Sequence, residues 1–327
     1  MSKTRRIKFG VIGYGNLGKG VALAATQNSD MELVGIFTRR DPKTVTADFP
    51  IYHIDELLEF KNKLHVVILC GGSLQDLPVQ ILEVAKHFHT VDSFDTHAKI
   101  PEYFEKVNSI NLEHNTLSLI STGWDPGLFS MARLLGMVVL PEGEDYTFWG
   151  KGLSQGHSDA LRKVEGVVNG VQYTIPKESA LKKVRAGEKP VFTASDKHER
   201  ICYVVAENGA DLGKIEKSIK TMPHYFEDYE TTVHFIDEAT LKAEHQNMPH
   251  GGIVIRTGRS AVGETQKLEF SLALDSNPNF TSSVLLAFAR AVAKLAKEGH
   301  VGAKTVFDIP LGYLSAQSPE DLRRELL

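Results

Sequence analysis

The chain has 327 residues, more than one hydrophobic core usually organises, which implies two domains. Its composition, 42% hydrophobic and 24% charged with a net charge of -4 and both signs mixed, is that of a soluble globular protein without a nucleic-acid footprint. No apolar run approaches the roughly 20 residues that span a bilayer, and the basic opening Met1–Arg6 runs straight into a strand, so no membrane partner is expected and a cytoplasmic location is. The two cysteines, Cys70 and Cys202, are far apart and lack a C-x-x-C partner, which argues against a disulfide scaffold or a metal site.

Ile7 to Ile12 is rich in apolar residues, as a strand buried on both faces requires, and glycines and an alanine-rich helix around Val21–Ala25 follow it. Met31–Phe37, Leu64–Cys70, Thr90–Val91 and Leu117–Ile120 read as further strands, with a helix over Leu77–His87. Such alternation implies right-handed crossovers and a Rossmann-type, doubly wound parallel sheet in residues 1–122. Tyr146–Trp149, Val171–Ile175, Ile201–Val205, Thr231–Ile236, Ile253–Arg256 and Leu268–Leu274 look like strands of a second, α+β domain over residues 123–279 with a mostly antiparallel sheet. Asn279–Ser283 offers N-cap candidates for a helix with Leu285, Phe288, Val292 and Leu295 on one face, returning in residues 280–327 to the first domain.

Gly13-Tyr14-Gly15-Asn16-Leu17-Gly18 is a G-x-G-x-x-G between a strand and a helix. A lone glycine hexapeptide is a weak signal; in this context it reads as a dinucleotide site. Gly13 permits the turn, Gly15 lets the backbone approach a pyrophosphate, and Gly18 lets the helix pack on the sheet. At the end of the second strand, where an acid would hold ribose hydroxyls, stand Thr38-Arg39-Arg40, and two guanidiniums suit a 2′-phosphate. The cofactor is therefore read as NADP(H). The plain alternative is a solvated basic turn, and Asp41, just past the arginines, is the residue that speaks for it. Cys70-Gly71-Gly72 leaves the next strand end free of bulk beside a nicotinamide.

Ligands of open parallel sheets bind beyond the carboxyl ends of the strands. There the chain places Asp92-Ser93-Phe94-Asp95 and Ser121-Thr122-Gly123-Trp124-Asp125-Pro126-Gly127. Asp95 and Asp125, with no metal-ligand set beside them, suit an ammonium group, although each alone is equally a loop or capping carboxylate. In the second domain the glycine-rich Gly150–Gly156 precedes His157-Ser158-Asp159, which is expected to open a helix and face an anion with its amides. Thr174, Arg200, His250 and Asn277 lie near strand ends as candidate carboxylate ligands. Acid groups on one side and anion-binding groups on the other point to an amino-acid substrate.

Taken together, Gly13–Gly18 with Phe37-Thr38-Arg39-Arg40, Val91–Asp95, Ser121–Gly127, Phe148-Trp149-Gly150, Gly152–Ala160, Phe235–Thr240 and Met248–Gly252 resemble the meso-diaminopimelate dehydrogenase family along essentially the whole chain. The resemblance implies a homodimer that uses NADP(H) to convert meso-diaminopimelate and water to L-2-amino-6-oxopimelate and ammonia. It implies that Asp95 and Asp125 hold the reacting D-amino group and that Trp124 and Trp149 wall the pocket. Gln155 and Gly156 would place the neighbouring carboxylate with Asp159 close by, and Thr174, Arg200, His250 and Asn277 would grip the distant L-end. Phe94 stands where the family has a tyrosine and Thr38 where it has a serine. A related cyclic-imine reductase would share the glycine fingerprint and is told apart by stoichiometric ammonia release; an NADPH sensor without turnover would bind the same cofactor, and the acid-and-tryptophan loop speaks against it.

Overall fold

The computed structural model describes residues 6–327, so the expected basic opening, Arg6 apart, lies outside the described residues. Two compact units divide the chain. One runs to Met131 and resumes with Pro278–Leu327; the other is Ala132–Asn277. The expected borders at 122 and 279 fall elsewhere in the structure because Leu128 and Met131 pack on the core of the first unit, which places Trp124 and Asp125 in that unit.

The first unit is built on β1 (Ile7–Ile12), β2 (Met31–Thr38), β3 (Ile51–His53), β4 (Val66–Leu69), β5 (Thr90–Asp92) and β6 (Leu117–Leu119), with a C-terminal strand, Gly302–Lys304. All pair in parallel, in the order C-terminal strand, β6, β5, β4, β1, β2, β3. The order reverses at β1, which is the topological switch point of a doubly wound sheet. Alternate residues feed two cores. Val66 and Ile68 join Phe9, Val11 and Val21 on one face, whereas Val67 and Leu69 join Phe37, Leu77, Ile81 and Val107 on the other. This is why β4 is apolar at every position. Each such side chain, fully buried, contributes about 1.5–3 kcal/mol relative to exposure. The three-residue strands Ile51–His53 and Gly302–Lys304 are too short to leave a periodic signal, and the sequence reading passed over both.

Leu285, Phe288, Val292 and Leu295 of the helix Asn277–Lys297 are buried in the first of these cores, as their spacing predicts. The helix begins earlier than expected, so Asn279–Ser283 lie inside it rather than at its cap. The Ser282 hydroxyl donates to Pro278 O at 2.7 Å and Leu17 O at 2.8 Å, and that of Ser283 to Asn279 O at 3.2 Å. These serines therefore bond carbonyls, the alternative to capping open to a hydroxyl within a helix. Arg290, 3% exposed, holds Asp30 through Nε at 2.6 Å and Nη2 at 2.9 Å.

The second unit contains β7 (Gly143–Trp149), β8 (Gly152–Leu153), β9 (Val167–Pro176), β10 (His198–Ala206), β11 (Thr231–Phe235), β12 (His250–Ala261) and β13 (Glu264–Leu274). Instead of the single sheet expected, the strands form two, in the orders β11-β10-β9-β8 and β13-β12-β7. Alternation announces a strand but not its partner: β12 takes β7, pairing Gly252 with Trp149, while β8 takes β9. Only β10 and β11 run parallel; the other pairs are antiparallel.

Candidate functional site

In the first unit the glycine turn joins β1 to the helix Asn16–Thr26. Gly13 has φ +92°, a region that favours glycine. A Cβ on Gly18 would stand 2.0 Å from Gly13 O, so this glycine is required by the turn itself, whereas at Gly15 the same atom would meet open space. Open space beside amides at a helix N-terminus is what a pyrophosphate needs. Tyr14 O accepts Arg40 Nη2 at 3.0 Å, which ties the end of β2 to the turn. Leu17 packs against the core, and its carbonyl accepts the Ser282 hydroxyl; Asn16 opens the helix.

Thr38 is buried, and its hydroxyl accepts the Arg40 amide at 3.1 Å. Asp41 does not oppose the arginines: its carboxylate caps the turn Pro42–Thr44 by accepting the Lys43 amide at 3.0 Å. Arg39 donates to Asp76 at 2.7 Å, and Asp76 also accepts the Gly72 amide at 2.9 Å. That amide, together with Arg39, holds the Asp76 carboxyl below the ordinary range despite some burial. Cys70 is buried, and burial pushes its thiol pKa far up, so it is no nucleophile. A Cβ on Gly71 would come within 2.7 Å of Asp76 and Gln80, so close packing requires glycine there, independently of any room left for a ligand. Open space at Gly15 and two guanidiniums at the end of β2, with no acid in place of Thr38, fit a dinucleotide bearing a 2′-phosphate.

Asp95 and Asp125 follow the neighbouring strands β5 and β6. The Asp95 amide donates to Ser73 Oγ at 2.9 Å, which joins its loop to the turn after β4. Trp124 is buried and meets Phe129 edge-on at 5.3 Å. Gly127, at φ +133°, closes this loop so tightly that a Cβ would lie 1.7 Å from Gly123 O.

In the second unit Thr174 and Arg200 are paired across β9 and β10, and Arg200 Nη1 donates to the Thr174 hydroxyl. Arg200 is 8% exposed and lies over the Tyr229 ring at 4.1 Å, while its Nε is buried without a hydrogen-bond partner. Burial lowers its pKa. An orphaned guanidinium N–H is what a carboxylate would satisfy. Gly152 pairs with Thr174, and a Cβ there would collide with the His250 ring, which brings His250 to the same place. Gln155 Nε2 reaches Met248 Sδ at 3.0 Å, and Met248 O accepts the Asn277 amide at 2.8 Å. The structure thus groups Thr174, Arg200 and His250 around β8–β10, and Gln155 and Asn277 at Met248. Gly156 is open. Asp159 is engaged by Arg162, the C-cap of its own helix. That helix is Gln155–Leu161, so the expected opening at His157–Asp159 lies within it.

For several supporting residues the sequence reading gave no partners. His157 bonds Ser154 Oγ through Nδ1 at 2.8 Å, and burial, helped by the Arg200 charge, lowers its pKa to about 4. His198 accepts the Trp149 amide, and burial lowers its pKa to about 4 as well. Asp76 and Asp92 each accept backbone amides. A lone histidine or aspartate carries no spacing signal, and only the fold shows what each one touches.

Residues 123–276 match the family described as the diaminopimelic acid dehydrogenase C-terminal domain. Meso-diaminopimelate D-dehydrogenase of Ureibacillus thermosphaericus is 58% identical over 98% of this chain and 99% of its own. Among solved structures, a mutant meso-diaminopimelate dehydrogenase from Clostridium tetani with diaminopimelate is 55% identical, with a TM-score of 0.92 over 98% of this chain and 100% of that one. An engineered D-amino acid dehydrogenase bound to NADP+ is 42% identical, with a TM-score of 0.85 over 98% and 100%. The chain belongs to the meso-diaminopimelate D-dehydrogenase family.

Proposed function

We propose that the protein catalyses the reversible, NADP-dependent oxidative deamination of the D-centre of meso-2,6-diaminopimelate. The products are L-2-amino-6-oxopimelate, which cyclises to tetrahydrodipicolinate, and ammonia, in lysine biosynthesis. The observation that carries the substrate reading is the buried Arg200, with an unpartnered Nε beside Thr174 and His250. It offers a substrate carboxylate a buried, charged hydrogen-bond donor.

NADP+, when bound, would supply the hydride acceptor for the D-carbon. The backbone of Gly13–Gly18 would support its pyrophosphate, with Tyr14, Asn16 and Leu17 in that turn and Cys70-Gly71-Gly72 at the next strand end. Thr38, Arg39 and Arg40 would take the 2′-phosphate. Asp95 and Asp125 bind the D-ammonium, and Asp125 takes its proton so that the nitrogen lone pair is free. Water then adds to the substrate iminium carbon, and ammonia leaves as the carbonyl forms. Trp124 and Trp149 wall the reacting end, while Gln155 and Gly156, with Asp159 near, place its carboxylate. Thr174, Arg200, His250 and Asn277 hold the L-end, so only the D-centre is presented. A homodimer working in the cytoplasm completes the reading.

The test is NADPH formation from meso-, LL- and DD-diaminopimelate in parallel, with NAD+ as the control and ammonia measured alongside. Turnover confined to the meso isomer and NADP+, with one ammonia per NADPH, is expected. NADPH binding without turnover, or turnover without ammonia, would reject the reading in favour of a sensor or a cyclic-imine reductase.

A further inference from the structure

The loops that carry Asp95 and Asp125 leave different strands, and one buried carboxylate holds them both. Asp92, the last residue of β5, is 0% exposed. Its Oδ1 accepts the amide of Phe94 at 2.9 Å and that of Ser121 at 3.0 Å. Its Oδ2 accepts the Tyr103 hydroxyl at 2.9 Å. Asp92 O also accepts the Thr122 amide at 2.8 Å. Phe94, itself 2% exposed, stacks on Tyr103 with ring centroids 4.1 Å apart. Ser121 has φ +56°, which a residue with a side chain keeps only where its surroundings impose it.

Phe94 precedes Asp95, and Ser121 begins the run that ends in Asp125-Pro126-Gly127. A single carboxylate oxygen therefore sets the start of both loops against each other. Burial pushes the Asp92 carboxyl up to about 6, a sign that the fold keeps the ionised group at a cost. An apolar residue could end a buried strand without that cost, but it offers no oxygen to accept the two converging amides.

We infer that Asp92 is a positioning residue of the reaction, fixing through the amides of Phe94 and Ser121 the loops from which Asp95 and Asp125 act. The inference rests on the roles proposed for those two aspartates. An asparagine at 92 keeps one oxygen for both amides and can donate from its nitrogen to the Tyr103 oxygen; a leucine keeps the shape and abandons both amides.

The experiment compares Asp92→Asn, Asp92→Leu and Tyr103→Phe by kcat and KM for meso-diaminopimelate, by NADPH affinity from fluorescence titration, and by thermal midpoint. Displacing reacting groups by about an ångström costs on the order of 100-fold in rate, so Asp92→Leu should lose about that much kcat. Its NADPH affinity should stay within about threefold of wild type, and Asp92→Asn should keep most of the rate. If the leucine variant does not fold, Tyr103→Phe, which frees only Oδ2, should still lower kcat with NADPH affinity unchanged. Wild-type kcat in the folded Leu and Phe variants, or equal losses of kcat and NADPH affinity, would overturn the inference. Asp95→Asn and Asp125→Asn, made with Asp92 intact, separate the two levels: wild-type rates in both would remove the assignment beneath the inference instead.

Discussion

His198 Nε2 accepts the backbone amide of Trp149 at 2.8 Å, and the two rings stack with centroids 5.6 Å apart. Its Nδ1 lies 3.3 Å from Ala194 O, so the partners assign the neutral tautomer protonated on Nδ1. Protonation of Nε2 would remove the acceptor for Trp149.

An acid dependence of stability follows. The folded pKa of His198 is about 4, below the 6.5 of a free histidine, so the unfolded state binds the proton first as pH falls. Its contribution is fully present above pH 6.5 and is lost as pH falls through 4, about 3 kcal/mol in all. Asp92 acts with the opposite sign, since its folded pKa is raised, and it gains stability as pH falls below 6. Thermal midpoints between pH 7 and 4 should therefore fall less in His198→Gln than in wild type. Identical slopes would show that the histidine is not the titrating group.

Gly15→Ala and Gly18→Ala should separate cofactor binding from folding. The first adds a methyl group to open space, so the melting temperature should hold while NADPH affinity falls. The second drives a Cβ into Gly13 O and should destabilise by about 1–3 kcal/mol or more. Calorimetry with and without NADPH distinguishes them, and a loss of stability in Gly15→Ala would contradict the site.

Replacing Arg39 and Arg40 together by alanine should erode the preference for NADP+ over NAD+. Each charge-assisted hydrogen bond to a phosphate is worth about 1.5–3 kcal/mol, or at least about tenfold in the ratio of kcat/KM values. A ratio unchanged in the double variant would move the 2′-phosphate elsewhere.

Arg200→Met should lower affinity for meso-diaminopimelate by about 2–5 kcal/mol, because it removes a buried charged partner. It should also relax selectivity toward simpler D-amino acids, since the remote clamp no longer presents one centre alone. Competition assays with single-centre D-amino acids report the outcome, and intact selectivity would refute the clamp.

Asp125→Asn should slow deamination most where the substrate ammonium is still protonated, because an ammonium titrates well above the carboxylate range. Oxidation rates are expected to rise with pH. Wild-type kinetics across that profile would remove Asp125 as the proton acceptor.

The parallel sheet was legible because strands buried on both faces, such as Val66–Leu69, are continuously apolar and glycine turns punctuate them. The second unit was legible as strands but not as two sheets, since nothing in Tyr146–Trp149 announces that β12 rather than β8 lies beside it. Arg200 and Thr174 lie far apart in sequence, and their approach depends on the register of β9 and β10. Asp92 was in view as a strand end, yet its role rests on Ser121, a long-range partner that no local spacing encodes.

The helix Asn277–Lys297 and the strand Gly302–Lys304 complete a sheet whose other strands end by Leu119. During synthesis from the N-terminus, the nucleotide-binding half must wait with one core uncovered while the whole second unit is made. Leu285, Phe288 and Val292, followed by Val306 and Ile309, arrive only afterwards to cover it. The intervening unit has contiguous sequence and can fold ahead of the unit that precedes it.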